Sequence, residues 1–221
     1  MHSQSVKPRS TSTPPHGPES LFRGTMTMLR PANLGFSKSE QQIRYQWSKD
    51  EDLQYWSGNI PSARAFEEFQ RMLPERDWPA DGRRRSYAIL DLSYCLIGMV
   101  SCYAIDWTLR TGELGVYIGD RNRWGHGSGT DAVATMLRHL FYDVEFRQVS
   151  LNTYASNTRA IRSYAKVGFE RLGTRKRFRP SMGYYREVRM AIDRDRFAAR
   201  FPPSPASQIA SGASRQAAEG F

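Results

Sequence analysis

The chain has 221 residues, of which 39% are hydrophobic and 24% charged, and carries a formal net charge of +10. That length suits a single domain with a hydrophobic core, and the composition excludes a chain disordered throughout. The sequence has no apolar run of about 18 residues to cross a membrane and no apolar N-terminal stretch of the signal-peptide kind, so it reads as cytoplasmic. Residues 1–24, rich in Ser, Thr and Pro as far as Pro18, lack hydrophobic periodicity and read as a disordered tail, with Met26 or Met28 as an alternative start. Residues 202–221 have the same character, which places one domain at 25–201.

Within the domain, a short strand is expected at 27–29, then helices at 39–45 and 63–73 separated by a loop rich in Trp and Gly. Three strands follow at 86–92, 96–106 and 113–118. Cys95 and Cys102 lie in this apolar stretch without metal-ligand neighbours, and no metal site is expected. They read as buried free thiols, too far apart along one strand for a disulfide. In the last strand Leu114, Val116 and Ile118 alternate with Glu113, Gly115 and Tyr117, so one face is buried.

A glycine turn comes next, and residues 130–144 then place Ala132, Val133, Met136, Leu137, Leu140, Phe141 and Val144 at helical spacing. A strand follows through Val149, Leu151 and Thr153. Asn157 is placed to cap a helix that runs to Lys166 and stops at Gly168. Strands at 169–172 and 185–192 complete the order, which describes a mixed α/β (α+β) sheet with flanking helices rather than a doubly wound one.

Strand, glycine turn and helix start together form an anion site, because unpaired amides and the positive end of the helix dipole converge on the turn. No Lys-Ser/Thr pair follows the glycines, which excludes a P-loop. No acidic residue stands at the ribose spacing of a dinucleotide fold.

Two motifs carry a family resemblance. Trp124-Gly125-His126-Gly127 leads into Thr130-Asp131-Ala132, and after the next strand come Asn157, Ala160, Tyr164, Gly168 and Phe169. Together they resemble the GNAT N-acetyltransferases, in particular the RimJ/RimL-like branch. The resemblance implies a mostly antiparallel central sheet with flanking helices, and acetyl-CoA as acyl donor. The pyrophosphate of the donor would lie in the turn of Trp124, Gly125, His126, Gly127, Ser128, Gly129 and Thr130. Backbone of Val116, Tyr117 and Ile118 would hold the thioester carbonyl, and Asn157 would contact the cofactor arm.

The resemblance further assigns Tyr164 as proton donor to the departing thiolate, a role that a phenol with a reference pKa of about 10 can fill, with plain packing on the helix face beside Ala160 and Ile161 as the alternative. Glu113 is the candidate base, directly or through water, ahead of Asp106 and Glu51; ordered water alone is the alternative. His126 titrates near neutrality but sits at a variable turn position facing solvent or phosphate. Tyr45, Trp47, Tyr55 and Trp56 fall where the branch builds a wall of its acceptor pocket, with core packing as the alternative for half of them. Trp124 stands where the superfamily usually has Gln or Arg, Asp131 replaces Glu, and Arg186 stands where the branch often has Asp.

The implied acceptor is a primary amine. The +10 charge favours a protein N-terminal α-amine and docking on an acidic partner or the ribosome. A small-molecule amine such as a polyamine, an antibiotic or an amino-acid derivative is the alternative. A non-catalytic acyl-CoA-binding or nucleic-acid-binding module is a third reading, although the arginines are scattered except at 83–85 and 171–179. A homodimer is compatible with all of these.

Overall fold

The computed structural model describes residues 21–180 and 182–203. Its elements are β1 (Phe22–Arg23), β2 (Thr27–Pro31), α1 (Lys38–Lys49), α2 (Glu51–Trp56), α3 (Phe66–Asp77), β3 (Arg84–Asp91), β4 (Leu96–Asp106), β5 (Thr111–Ile118), α4 (Ser128–Arg138), β6 (Gln148–Tyr154), α5 (Thr158–Val167), β7 (Glu170–Arg179), β8 (Gly183–Asp193) and α6 (Arg194–Arg200). The strands form one sheet in the order β1-β2-β3-β4-β5-β6-β8-β7. Every neighbouring pair is antiparallel except β5 and β6. The expected mixed, mostly antiparallel sheet is therefore present.

Several boundaries differ from the sequence reading, each for a local reason. The first helix starts at Lys38 because Ser37 and Glu40 form a reciprocal capping box. What read as a Trp- and Gly-rich loop contains α2, since Asp50 accepts a hydrogen bond from the Leu53 amide at 2.9 Å and caps a short turn of helix. The fourth helix starts two residues earlier than expected, with Gly127 in the left-handed region at φ 92° as its cap, and residues 139–143 continue it as a π turn. The seventh strand extends to Arg179, paired with β8 as far as Gly183. α6 was not foreseen; Asp193 caps it by accepting from the Arg196 amide at 2.8 Å, and it buries Phe197 against Phe141.

Structure begins before residue 25, because Phe22 and Arg23 pair with Leu29 and Met28. The rest of both expected tails, residues 1–20 and 204–221, lies outside the described residues. Cys102 is buried as expected, and burial pushes its thiol up to about 12. Cys95 is exposed, contrary to expectation. It lies in the turn before β4, where the Asp91 carboxylate accepts from the Ser93 and Cys95 amides.

The main core forms where α4 crosses the sheet, with Ala132, Val133, Met136 and Leu137 packed among Leu29, Ile89, Val100 and Leu114. Each large side chain buried there contributes about 1.5–3 kcal/mol. At the end of β5, Gly119 lies directly beneath the indole of Trp47, which also meets Tyr117 edge-on at 6.1 Å.

Candidate active site

β5 and β6 are paired only at Thr111, Gly112 and Glu113 with Gln148, Val149 and Ser150. Beyond Glu113 the two strands part. On its other edge β5 stays paired with β4 as far as Ile118, and the Gly119 amide then bonds the Ile97 carbonyl at 2.8 Å. Alternation along an antiparallel ladder assigns the amides of Glu113, Gly115 and Tyr117 to β4 and turns those of Leu114, Val116 and Ile118 toward the opening. The Ile118 carbonyl confirms this direction by accepting from Trp124 Nε1 at 2.7 Å.

The opening is a cavity of about 500 Å³. One wall is Val116, Tyr117 and Ile118, and another is the turn with Trp124, Gly125, Gly127, Gly129 and Thr130. The facing wall includes Asn157 and Tyr164 of α5. Ten of the thirteen site residues expected from sequence are thus brought together. The other three, His126, Ser128 and Glu113, do not line the cavity: His126 is exposed beyond the turn, and Ser128 is buried beneath it.

Gly125 and Gly127 hold φ of 81° and 92°, a region that side chains reach with strain, so the turn depends on glycine there. Trp124 has a structural task. Its ring NH ties the turn to the end of β5, and the guanidinium of Arg159 lies over its face at 4.4 Å. Asp131 faces away from the cavity and accepts hydrogen bonds from residues 25–27. Asn157 caps α5 through the Ala160 amide at 3.1 Å, and Thr130 and Ser163 join α4 to α5 at 2.6 Å.

Four cations line the cavity: Arg123, Arg159, Arg162 and Lys166. They suit the phosphates of an acyl-CoA and were missed in the sequence. The signal was present, since 159, 162 and 166 fall on one helical stripe.

Tyr164 lies against Phe169 in the core with its ring on the cavity wall, and burial, followed by the nearby Tyr103, pushes its phenol up to about 12. Tyr103 of β4 is likewise pushed up to about 12, first by burial and then by the Glu113 carboxylate. Glu113 also accepts from Asn152 Nδ2 at 2.9 Å. Tyr103 and Glu113 are register partners across the β4–β5 ladder. Tyr103 and Asn152 line the cavity and were not foreseen. Asp106 is occupied by the amides of Thr108 and Leu109, and Glu51 sits in the first turn of α2.

A second cavity of about 900 Å³ meets the first at Ser57, Tyr103, Gly115, Val116 and Tyr117. The expected aromatic wall is divided. Trp56 lines the first cavity, Tyr55 stacks on Tyr154 at 5.3 Å, and Tyr45 packs on Phe66 and Phe69. Among the described residues no group of three or more His, Cys, Asp or Glu is placed to hold a metal, and no helix is long and apolar enough to cross a membrane.

A sheet that splits between two parallel strands, with a glycine turn and helix start at the mouth of the split, defines an acyl-CoA-dependent N-acyltransferase. The chain belongs to the GNAT acetyltransferase family, whose acetyltransferase (GNAT) domain profile matches residues 33–170, and it is an acetyl-CoA-dependent N-acetyltransferase. It is 35% identical over 79 residues to a kanamycin resistance protein of Rhizobium radiobacter, covering 36% of this chain and 73% of that one. It is 25% identical over 167 residues to human alpha/beta-tubulin-N-acetyltransferase 9, covering 70% and 77%. Its fold matches that of spermidine N-acetyltransferase from Vibrio cholerae in complex with CoA and spermine, with a TM-score of 0.68, 19% identity, and 77% and 97% coverage.

Proposed function

We propose that the chain acetylates a primary amine that enters through the second cavity, with a protein N-terminal α-amine as the acceptor, in the manner of the RimJ/RimL-like branch. The observation that carries the reading is the meeting of the two cavities at Tyr103, Gly115, Val116 and Tyr117. A thioester bound along the first cavity and an amine in the second would meet at that point. The pyrophosphate rests on the turn from Trp124 to Thr130, with Arg159, Arg162 and Lys166 alongside, and Asn157 contacts the arm.

In the reaction the amine nitrogen bonds to the thioester carbon while amides of Val116 and Ile118 stabilise the oxyanion, and the C–S bond then breaks. Tyr164 gives its proton to the thiolate, and a phenol held near 12 stays protonated at rest. Glu113 takes the amine proton through water, and solvent restores the proton of Tyr164 after the thiolate leaves. Charge also supports an acidic partner or ribosome docking, and a homodimer is compatible with this use of the site. A small-molecule amine is the second reading, favoured by the likeness to a kanamycin resistance protein and to the fold of a spermidine N-acetyltransferase. Release of coenzyme A against a panel of N-terminal peptides and small amines tests this. Turnover of the small amines alone would reverse the order of the two readings.

A further inference from the structure

The second cavity is unusual in its charge for an enzyme that takes amines. Arg44, Arg64, Arg76 and Arg84 line it, against Asp77 as the one carboxylate among its lining residues. That carboxylate is already committed, because Asp77 and Arg44 form a buried ion pair at 2.6 Å. Arg44 Nε and Nη1 are buried without a hydrogen-bond partner among the described residues. Arg64 is paired with Glu68 at 2.8 Å at the half-exposed rim. Arg76 and Arg84 make no ion pair among the described residues. Arg84 lies over the ring of Tyr103 at 5.0 Å, which fixes a guanidinium beside the residue the two cavities share.

We infer that the acceptor is a primary amine carrying a carboxylate close to the amine, as at the N-terminus of an acidic peptide, and that Arg84 and Arg76 select it. A polycation such as spermidine or kanamycin would place two or more positive charges among these arginines with no free carboxylate to receive them. Planar guanidinium forks match carboxylates and reject ammonium groups. A water-filled cleft of one sign also concentrates ligands of the opposite sign.

This inference rests on the second cavity receiving the amine, so the test separates the two. Coenzyme A release is measured with peptides beginning Ala-Asp-Glu and their Ala-Asn-Gln counterparts, with free aspartate and glutamate, and with spermidine and kanamycin. Each is run on the parent chain and on Arg84→Gln and Arg76→Gln. The expected result is a kcat/KM at least tenfold higher for the acidic peptide than for its amide counterpart, a preference that falls to within threefold in Arg84→Gln. Preference for aspartate over the peptide keeps the carboxylate and transfers it to a small molecule. Equal rates for acid and amide, or faster turnover of spermidine or kanamycin, overturn the inference and leave the cavity reading intact. An acid preference untouched by either variant overturns the cavity reading, and the inference with it. Thermal unfolding of both variants distinguishes lost selection from lost folding.

Discussion

Asp131 Oδ2 accepts from both the amide and the hydroxyl of Thr27, at 2.8 and 2.7 Å. The same carboxylate takes the Met26 amide and both donors of Thr25, so one side chain of α4 clamps the turn between β1 and β2. Burial pushes its pKa up, but the bonds from Thr25 and Thr27 outweigh that and hold it below 3.8. A depressed carboxyl contributes stability above its unfolded pKa and loses it as pH falls through the folded one. Asp131→Asn should lower unfolding free energy by about 2 kcal/mol at neutral pH, as charge-assisted bonds are lost. In denaturant titrations the difference from the parent should shrink below pH 3.8.

The clamp gives β1 a measurable role. The Phe22 ring lies 4.0 Å from that of His139 and 5.9 Å from that of Tyr87. A chain starting at residue 25 should be about 1 kcal/mol less stable than one starting at residue 21, through lost apolar burial. For a domain of this size that is a fall of roughly 2–4 °C in Tm, readable by calorimetry. Equal Tm values would place the domain start at 25.

Two glycines of the turn should respond differently. Gly127→Ala forces a side chain into φ 92° and should cost about 1–2 kcal/mol of stability. Gly129 has no such backbone constraint, and a Cβ there meets only Ile118 at 3.6 Å. Gly129→Leu should keep the fold and fill the mouth of the cavity, weakening acetyl-CoA at least tenfold, about 1.4 kcal/mol. Calorimetric titration with unchanged affinity would move the pyrophosphate elsewhere.

Tyr164→Phe keeps the ring against Phe169 and removes the proton. Stability and acetyl-CoA affinity should hold while kcat falls about 10²-fold, near the lower end of general acid help. Because the phenol is pushed up to about 12, the parent enzyme should lose no activity through Tyr164 between pH 7 and 9. A kcat within threefold of the parent would remove Tyr164 from the mechanism.

The parts legible in the sequence were those encoded locally. Leu114, Val116 and Ile118 announce a half-buried strand, the glycines after Trp124 a helix entry, and Asn157 with Gly168 both ends of α5. Tyr103 was illegible because its place depends on the pairing of β4 with β5 and on the irregularity after it, where Ala104 adopts φ 50°. Asn152 reaches Glu113 only across 39 residues of chain. The arginines of the second cavity come from α1, α3, β3 and the loop between α2 and α3, and no spacing links them. Two-residue β1 and seven-residue α6 are too short to leave a periodic signal.

The packing of Trp47 on Gly119 has a consequence for how this sequence can change over time. A Cβ at position 119 would lie 2.1 Å from the indole, so even alanine there must displace α1 from the end of β5. Residues in such contact do not vary independently. A relative with a side chain at the position of Gly119 should carry something smaller than tryptophan at the position of Trp47. The two changes should be tolerated together and harmful apart. A smaller residue at position 47 should be tolerated before a side chain at position 119, because a cavity is a milder defect than a clash between a Cβ and a ring.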